Sequence, residues 1–253
     1  MYFIDVQGTL ISDIDKTPIK GAIEFIDQLN TKNIPYILIT NNTKKSSQEF
    51  FYFLQQLGFA IKKKNYIDPL MVLKDFLHVN TIAPYGTNDF LNNIQSMGYK
   101  IDFQNPEAVL VAIKPDFTND DYAQMIDLTL QGAQLIGMHE TSIYAKNGKK
   151  YPGVGAILKM IQFATQKNYD IVGKPSSLFY MQALKKLQEQ HPNASFEDIT
   201  IISDDVVGDL VGAKQLGMKT VFVASGKFPN PQEIIPRLEV KPDIVKTDIS
   251  ELL

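Results

Sequence analysis

An α/β fold built on a mainly parallel sheet is what the sequence predicts, and three observations predict it. Short β-branched apolar runs alternate with longer amphipathic segments along the 253 residues. The runs are nearly continuous in hydrophobicity, as strands covered on both faces are. The polar residues best suited to chemistry follow directly after such runs, and ligands of open parallel sheets bind beyond the carboxyl ends of the strands.

Taken in order, "MYFI" (1–4) is the first expected strand. "AIEFIDQLNTKN" (22–33) is a helix with Ile23, Ile26 and Leu29 at helical spacing. "YILIT" (36–40) is the next strand. "SSQEFFYFLQQLG" (46–58) is a helix that opens on Ser and Glu and closes at Gly58. Its aromatic cluster fits a core-facing helix better than a stacking platform, and "KKK" at 62–64 reads as a solvated helix end. "AVLVAI" (108–113), "AQLIG" (133–137) and "DIV" (170–172) are strands. "SLFYMQALKKLQEQ" (177–190) is a helix, "ITIIS" (199–203) a strand, "VVGDLVGAKQLG" (206–217) a helix and "TVFVA" (220–224) a strand. Residues 81–170, from "NTIAPYG" to just before "DIVGKP", carry their own strand and helix series and interrupt two groups of polar residues that belong to one site. The expected organisation is therefore a discontinuous core, 1–80 and 171–253, with an inserted domain at 81–170.

Composition narrows the chemistry. The chain is 44% hydrophobic, enough for a sizeable core, and its formal net charge is -3. Basic residues are dispersed, which argues against a nucleic-acid partner. Arg237 is the only arginine, so a phosphate elsewhere must be held by lysine, backbone N–H groups, hydroxyls or metal. No cysteine is present, which excludes disulfides, thiolate catalysis and Cys-based metal sites. With no secretory leader pattern and no apolar stretch of spanning length, a soluble cytoplasmic protein without a membrane partner is expected. His78, His139 and His191 show no metal-ligand spacing. His139, in "GMHETS", could reach a substrate, though its setting favours a surface loop.

Four stretches carry the chemistry. In "DVQGTL", Asp5 follows the first strand, where a carboxylate can attack an electrophile and bind a divalent cation. Gly8 and Thr9 allow a tight turn. In "ITNNTKKS", the Thr40 hydroxyl and exposed backbone N–H groups suit phosphate oxygens. In "VGKPSSLFY", Lys174 can neutralise charge on a nucleophile or a transferring phosphoryl group. In "IISDDVVGDLVG", Asp204, Asp205 and Asp209 cluster, and such acids repel unless a cation or lysine sits among them. Oxygen ligands of this kind suit Mg²⁺. Each stretch alone has a plainer reading as a turn, a loop, a surface lysine or a helix cap. Their combination in this order is far more specific.

The four together resemble the haloacid dehalogenase superfamily of aspartate-nucleophile phosphatases over essentially the whole chain. The similarity is greatest to its subfamily IIA, the NagD-like and p-nitrophenyl phosphatase branch with a large inserted C2-type cap. "SDDVVGDLVGAKQLGMKTVFVASGKF" and "YPGVGAILKMIQFAT" look most like the subgroup of phospholysine, phosphohistidine and inorganic pyrophosphate phosphatases. The resemblance implies a Rossmann-like core and a Mg²⁺-dependent phosphatase. Asp5 would be the nucleophile that becomes aspartyl-phosphate and a Mg²⁺ ligand. Gln7 would lend its backbone carbonyl to Mg²⁺. Thr40 and the N–H of Asn41 would hold phosphate oxygens, and Lys174 would pair with nucleophile and phosphate. Asp204 would bind Mg²⁺, Asp209 would orient water or Lys174, and Asp205 is a weaker supporting candidate. The cap would select a small phosphorylated metabolite, a phospho-amino acid or pyrophosphate; oligomeric state is left open, with a homodimer as one option because capped relatives often dimerise.

Two positions depart from the family pattern. Ser203 replaces a glycine, a small change expected to be tolerated. Gln7 replaces the aspartate that usually protonates the leaving group, and an amide is no acid or base near neutral pH. The expectation is a bias towards phosphates whose leaving groups depart unaided. The main alternative is a catalytically impaired protein that binds Mg²⁺ and a phosphorylated ligand. Carbon–halogen or carbon–phosphorus chemistry is disfavoured by the full set of acids. A dinucleotide-binding dehydrogenase lacks its G-x-G-x-x-G, and a two-component receiver domain would be about half as long and ordered differently.

Overall fold

A computed structural model describes residues 1–146 and 149–253. The strands are β1 (Tyr2–Asp5), β2 (Tyr36–Ile39), β3 (Tyr66–Ile67), β4 (Thr81–Tyr85), β5 (Lys100–Ile101), β6 (Ala108–Val111), β7 (Gln134–Gly137), β8 (Ile143–Lys146), β9 (Lys149–Pro152), β10 (Tyr169–Ile171), β11 (Thr200–Ser203), β12 (Lys219–Val223) and β13 (Ile244–Lys246). The α-helices are α1 (Ala22–Thr31), α2 (Ser47–Gln56), α3 (Pro69–Phe76), α4 (Asn88–Ser96), α5 (Asn119–Leu130), α6 (Val154–Thr165), α7 (Ser177–Gln188), α8 (Val211–Gln215) and α9 (Pro231–Ile234). Contacts divide the chain into two compact units. One holds Met1–Thr40, Gln48–Ile67 and Phe179–Leu253, and the other holds Asn41–Ser47 and Asp68–Leu178.

The first unit is built on a six-stranded sheet in the order β13-β12-β11-β1-β2-β3. All its ladders are parallel, as the unbroken apolar runs require. Phe3, Ile4, Ile37, Leu38, Ile201, Ile202 and Phe222 are completely buried in it. Each such side chain contributes about 1.5–3 kcal/mol by leaving water. Helix α1 buries Ala22, Phe25, Ile26 and Leu29, one face of the 3.6-residue repeat, and Asn33 at φ 53° terminates it in the left-handed region. Helix α2 buries Phe50, Phe51 and Leu54, and both phenylalanines pack against Tyr66.

The second unit carries a five-stranded parallel sheet, β10-β7-β6-β4-β5, and an antiparallel pair, β8-β9. Helix α6 lays Val154, Ile157, Leu158 and Ile161 against Val109, Val111 and Leu135 of the sheet, with Met125 and Leu128 of α5 completing the cluster. Helix α3 begins at Pro69 with Asp68 as its cap, accepting the Met71 N–H at 3.0 Å and the Ser47 hydroxyl at 2.9 Å. Among the described residues no helix is long and apolar enough to cross a membrane.

Two expected elements turn out differently. The segment 206–217 is not one helix: a π-helical turn at Val206–Leu210 precedes the short α8. Strand β10, the run before "GKP", pairs with β7 and so belongs to the second unit's sheet. Periodicity reports the type of an element and carries no information on which sheet a strand joins.

The β12–β13 margin is closed by one carboxylate. Asp243 accepts the Thr220 N–H at 2.9 Å, the Thr220 hydroxyl at 2.8 Å and the Lys214 ammonium at 2.7 Å. The Lys214 bond, with those from Thr220, holds its pKa below the usual carboxylate range against the opposing effect of burial. A depressed folded value means that stability is fully present above the unfolded value, about 3.9, and is lost as pH falls through the folded one. Asp243→Asn should therefore lower the thermal midpoint at pH 7 and make the acid limb shallower, with wild type and variant converging at low pH. Thermal unfolding followed across pH 2–7 checks this, and parallel curves would contradict it.

Candidate active site

Three neighbouring strands place three of the expected residues side by side. In the order β11-β1-β2, Asp204 follows β11, Asp5 ends β1 and Thr40 follows β2. All three are at least 95% buried: Asp5 and Asp204 are 4% exposed and Thr40 is 0%. The common carboxyl edge of a parallel sheet produces this juxtaposition from positions 35 and 199 residues away from Asp5 in number, Thr40 and Asp204.

Thr9 links the two carboxylate positions. Its buried hydroxyl donates to Asp5 Oδ2 at 3.5 Å and accepts the Asp204 N–H at 3.1 Å. Gly8, at φ +81°, passes so close to Asp204 that a Cβ there would collide with its carboxylate, and a Cβ at Gly226 would strike the same carboxylate oxygen. Lys227 closes the arrangement. Its backbone N–H donates to Asp204 Oδ2 at 2.6 Å, while its ammonium reaches Asp205 Oδ2 at 2.7 Å. Ser225, just before, donates its hydroxyl to the Gly8 carbonyl at 2.7 Å.

The acids in "SDDVVGD" take different duties. Asp205 caps the π-helical turn by accepting the Gly208 N–H at 2.8 Å, so both its oxygens are engaged. Asp209 lies inside that turn, buried, and accepts the Ser203 hydroxyl at 2.7 Å. Ser203 also accepts the Asp205 N–H at 3.0 Å. The serine expected merely to be tolerated is instead a buried node holding two of the three acids. Tyr180 supports the turn from below, donating to the Asp209 carbonyl at 3.2 Å. Burial, and then the negative charge of Asp209, pushes its phenol well above the ordinary range.

This donor set fits a hard divalent cation. Burial, followed by repulsion from Asp5, holds Asp204 well above the usual carboxylate range, and the Lys227 N–H only partly offsets it. Asp204 Oδ1 has no partner among the described residues. Among the described residues the Gln7 carbonyl accepts no hydrogen bond either, because the turn closes through the Val6 carbonyl and the Gly8 N–H. A cation taking few carboxylates, one carbonyl and several waters would match these groups. Among the described residues no cluster of three or more His, Cys, Asp or Glu side chains is arranged around a metal position, so carboxylates alone do not complete a shell.

Gln7 itself is partly exposed, and its Oε1 accepts the Thr40 hydroxyl at 2.6 Å. The expected use of its main chain thus comes with a side-chain contact that the sequence did not suggest.

Asn41 and Lys174 fall in the second unit. Asn41 Oδ1 accepts the Lys174 N–H at 2.9 Å and its Nδ2 donates to the Lys174 carbonyl at 3.3 Å. The asparagine side chain therefore clamps the lysine backbone from 133 residues away. Lys174 is buried, 3% exposed, and its carbonyl also accepts the Glu140 N–H at 3.3 Å. His139, next in line, is 2% exposed rather than lying in a surface loop, and its Nδ1 accepts the Thr141 N–H at 3.4 Å. Thr9, Ser203, Ser225 and Lys227 were not singled out as ligating or supporting groups. For Ser225 and Lys227 a signal was present: like the others, they follow a strand of the same sheet.

The haloacid dehalogenase-like hydrolase family model matches residues 2–100, and a second, HAD-hydrolase-like, matches residues 171–252. The haloacid dehalogenase-like hydrolase domain-containing protein 2 of Mus musculus is 26% identical over 231 residues, covering 91% of this chain and 86% of its own. The phospholysine phosphohistidine inorganic pyrophosphate phosphatase of Mus musculus is 28% identical over 241 residues, covering 93% and 87%. Among solved structures, the p-nitrophenyl phosphatase from Archaeoglobus fulgidus superposes with a TM-score of 0.86 at 21% identity, covering 99% of this chain and 97% of that one. At that identity the superposition speaks for the fold.

Ser203→Ala should destabilise the protein by about 1–3 kcal/mol, since it strips one donor from buried Asp209 and one acceptor from the Asp205 N–H. Urea unfolding of the two proteins measures it, and an unchanged midpoint would show that the hydroxyl carries no weight.

Proposed function

We propose, for a chain that belongs to the haloacid dehalogenase-like hydrolases and is a phosphatase of that family, a two-step phosphoryl transfer through Asp5 that favours phosphates with good leaving groups. The observation that carries the second half is Gln7: the position two residues after the nucleophile holds a carboxamide, and that carboxamide is bound to Thr40. No proton can be delivered from it near neutral pH.

In the first step an Asp5 carboxylate oxygen attacks phosphorus, and the bond from phosphorus to the leaving oxygen or nitrogen breaks with the electron pair going to the leaving atom. In the second step water attacks the phosphorus of the aspartyl-phosphate, which releases orthophosphate and restores Asp5. Thr40 and the Asn41 N–H hold the non-bridging oxygens, and Lys174 neutralises charge on nucleophile and phosphate. Asp204, Asp5 and the Gln7 carbonyl would hold the cation, for which Mg²⁺ is the proposal. When bound, it supplies charge neutralisation for the two carboxylates and the phosphoryl oxygens. Asp209, held by Ser203, keeps the acidic turn in place and orients water or Lys174.

Loss of a positioned acid typically costs about 10²–10⁴ in rate. That loss falls hardest on alkyl phosphates such as sugar phosphates, whose alkoxide needs a proton. It falls lightly on aryl and acyl phosphates and pyrophosphate, and on phosphoramidates, which carry their own proton on nitrogen. The name of one relative speaks of phospholysine, phosphohistidine and pyrophosphate, which supports this substrate class without assigning a member of it. The insert at 81–170 is proposed as the cap that selects the leaving group. A cytoplasmic location and a homodimer complete the proposal.

The test is hydrolysis of aryl phosphates, pyrophosphate, a phosphoramidate and a sugar phosphate with Mg²⁺. Activated substrates should be turned over and the sugar phosphate slowly; a preference for the sugar phosphate would sink the idea. Asp5→Asn should abolish turnover, and a wild type as inactive as this variant would favour the ligand-binding alternative. Removing metal with a chelator should silence the enzyme, with Mg²⁺ restoring it. Gln7→Asp should raise sugar-phosphate turnover by about tenfold or more if the missing proton donor is what limits it.

A further inference from the structure

The Gln7 carboxamide does more than leave a gap where an acid would stand. Its carbonyl oxygen is anchored by the Thr40 hydroxyl at 2.6 Å. Thr40 is wholly buried at the end of β2, and β2 is paired with β1 so that Ile39 lies opposite Asp5. The anchor therefore runs from the loop after the nucleophile to the strand end beside it. Gln7 Nε2 has no hydrogen-bond partner among the described residues. Among them, too, no buried side-chain nitrogen or oxygen lacks a partner, so this nitrogen lies open to solvent with two N–H donors.

We propose that Gln7, held in aim by Thr40, donates a hydrogen bond from Nε2 to the departing oxygen of the substrate, and so sets which leaving groups the enzyme accepts. This rests on the phosphatase reading above and deepens it. The donor stabilises an anionic oxygen without protonating it. Its contribution grows with the charge that accumulates on that oxygen, because a hydrogen bond to a charged acceptor is stronger than one to a neutral one. The substrate class is thereby extended from leaving groups that need no help to those that leave as a moderately basic anion, such as weakly acidic phenols. Alcohols, which must leave protonated, stay outside it.

The experiment compares kcat/KM of wild type, Gln7→Met, Gln7→Leu, Thr40→Ser and Thr40→Val on phenyl phosphates of graded phenol acidity. Gln7→Met keeps the length and loses both donors; Gln7→Leu loses them with a shorter side chain that brings in no acid. Both should lose about tenfold more on the least acidic phenol than on p-nitrophenyl phosphate. Thr40→Val, which removes the anchor, should show the same dependence on top of any uniform loss, and Thr40→Ser should not. Equal loss across the series in the Gln7 variants, or none, overturns the proposal while leaving the phosphatase reading intact. A folded wild type inactive on every aryl phosphate overturns both. Gln7 is partly exposed, so its variants decide the matter even if Thr40→Val does not fold.

Discussion

Two carboxylates buried side by side constrain everything around them. Asp5 and Asp204 lie at the ends of adjacent strands, and burial, followed by repulsion from Asp5, works against the charged form of Asp204. The surroundings read as responses to that conflict. Thr9 joins the two positions through one hydroxyl, and Gly8 and Gly226 leave room where any side chain would strike Asp204. Lys227 brings a backbone donor to Asp204 but sends its ammonium to Asp205. Asp204 is thus met by a backbone N–H and not by the Lys227 ammonium.

The loop after β1 is tied to the neighbouring strand end by one side chain, Gln7, whose carbonyl oxygen is fastened to Thr40. The acids of the fourth stretch show the complementary economy. Asp205 and Asp209 are occupied in holding the π-helical turn, through Gly208, Lys227 and Ser203. Asp204, at the strand end itself, is the member left with an oxygen to offer.

Lys174 is prepared in a different way. Its backbone is clamped by both ends of the Asn41 carboxamide and by the Glu140 N–H, all within the second unit. A buried lysine is useful only if its ammonium is delivered to a defined place, and fixing its main chain from three directions is a rigid means to that end. The neighbouring "TNN" residues thus divide: Thr40 belongs to the unit of Asp5 and Asn41 to that of Lys174.

How much was legible in the sequence follows from what sequence encodes. The parallel α/β class, the strands β1, β2, β11 and β12, and Asp5, Thr40 and Asp204 as strand-end residues were all readable. Buried parallel strands must be continuously apolar, and chemistry at their carboxyl ends follows from that. Gln7 stood out because one residue type was missing from a pattern. The sequence alone determined which chemical groups exist and on which strand ends they sit. Tertiary structure decided which of them meet: the grip of Thr40 on Gln7, of Ser203 on Asp209, and of Asn41 on Lys174. It also moved β10 to the second sheet and buried His139. Those outcomes depend on strand order and on side-chain contacts between residues 6 to 133 positions apart. Local periodicity, which records only whether a segment has an apolar face, holds no term for them.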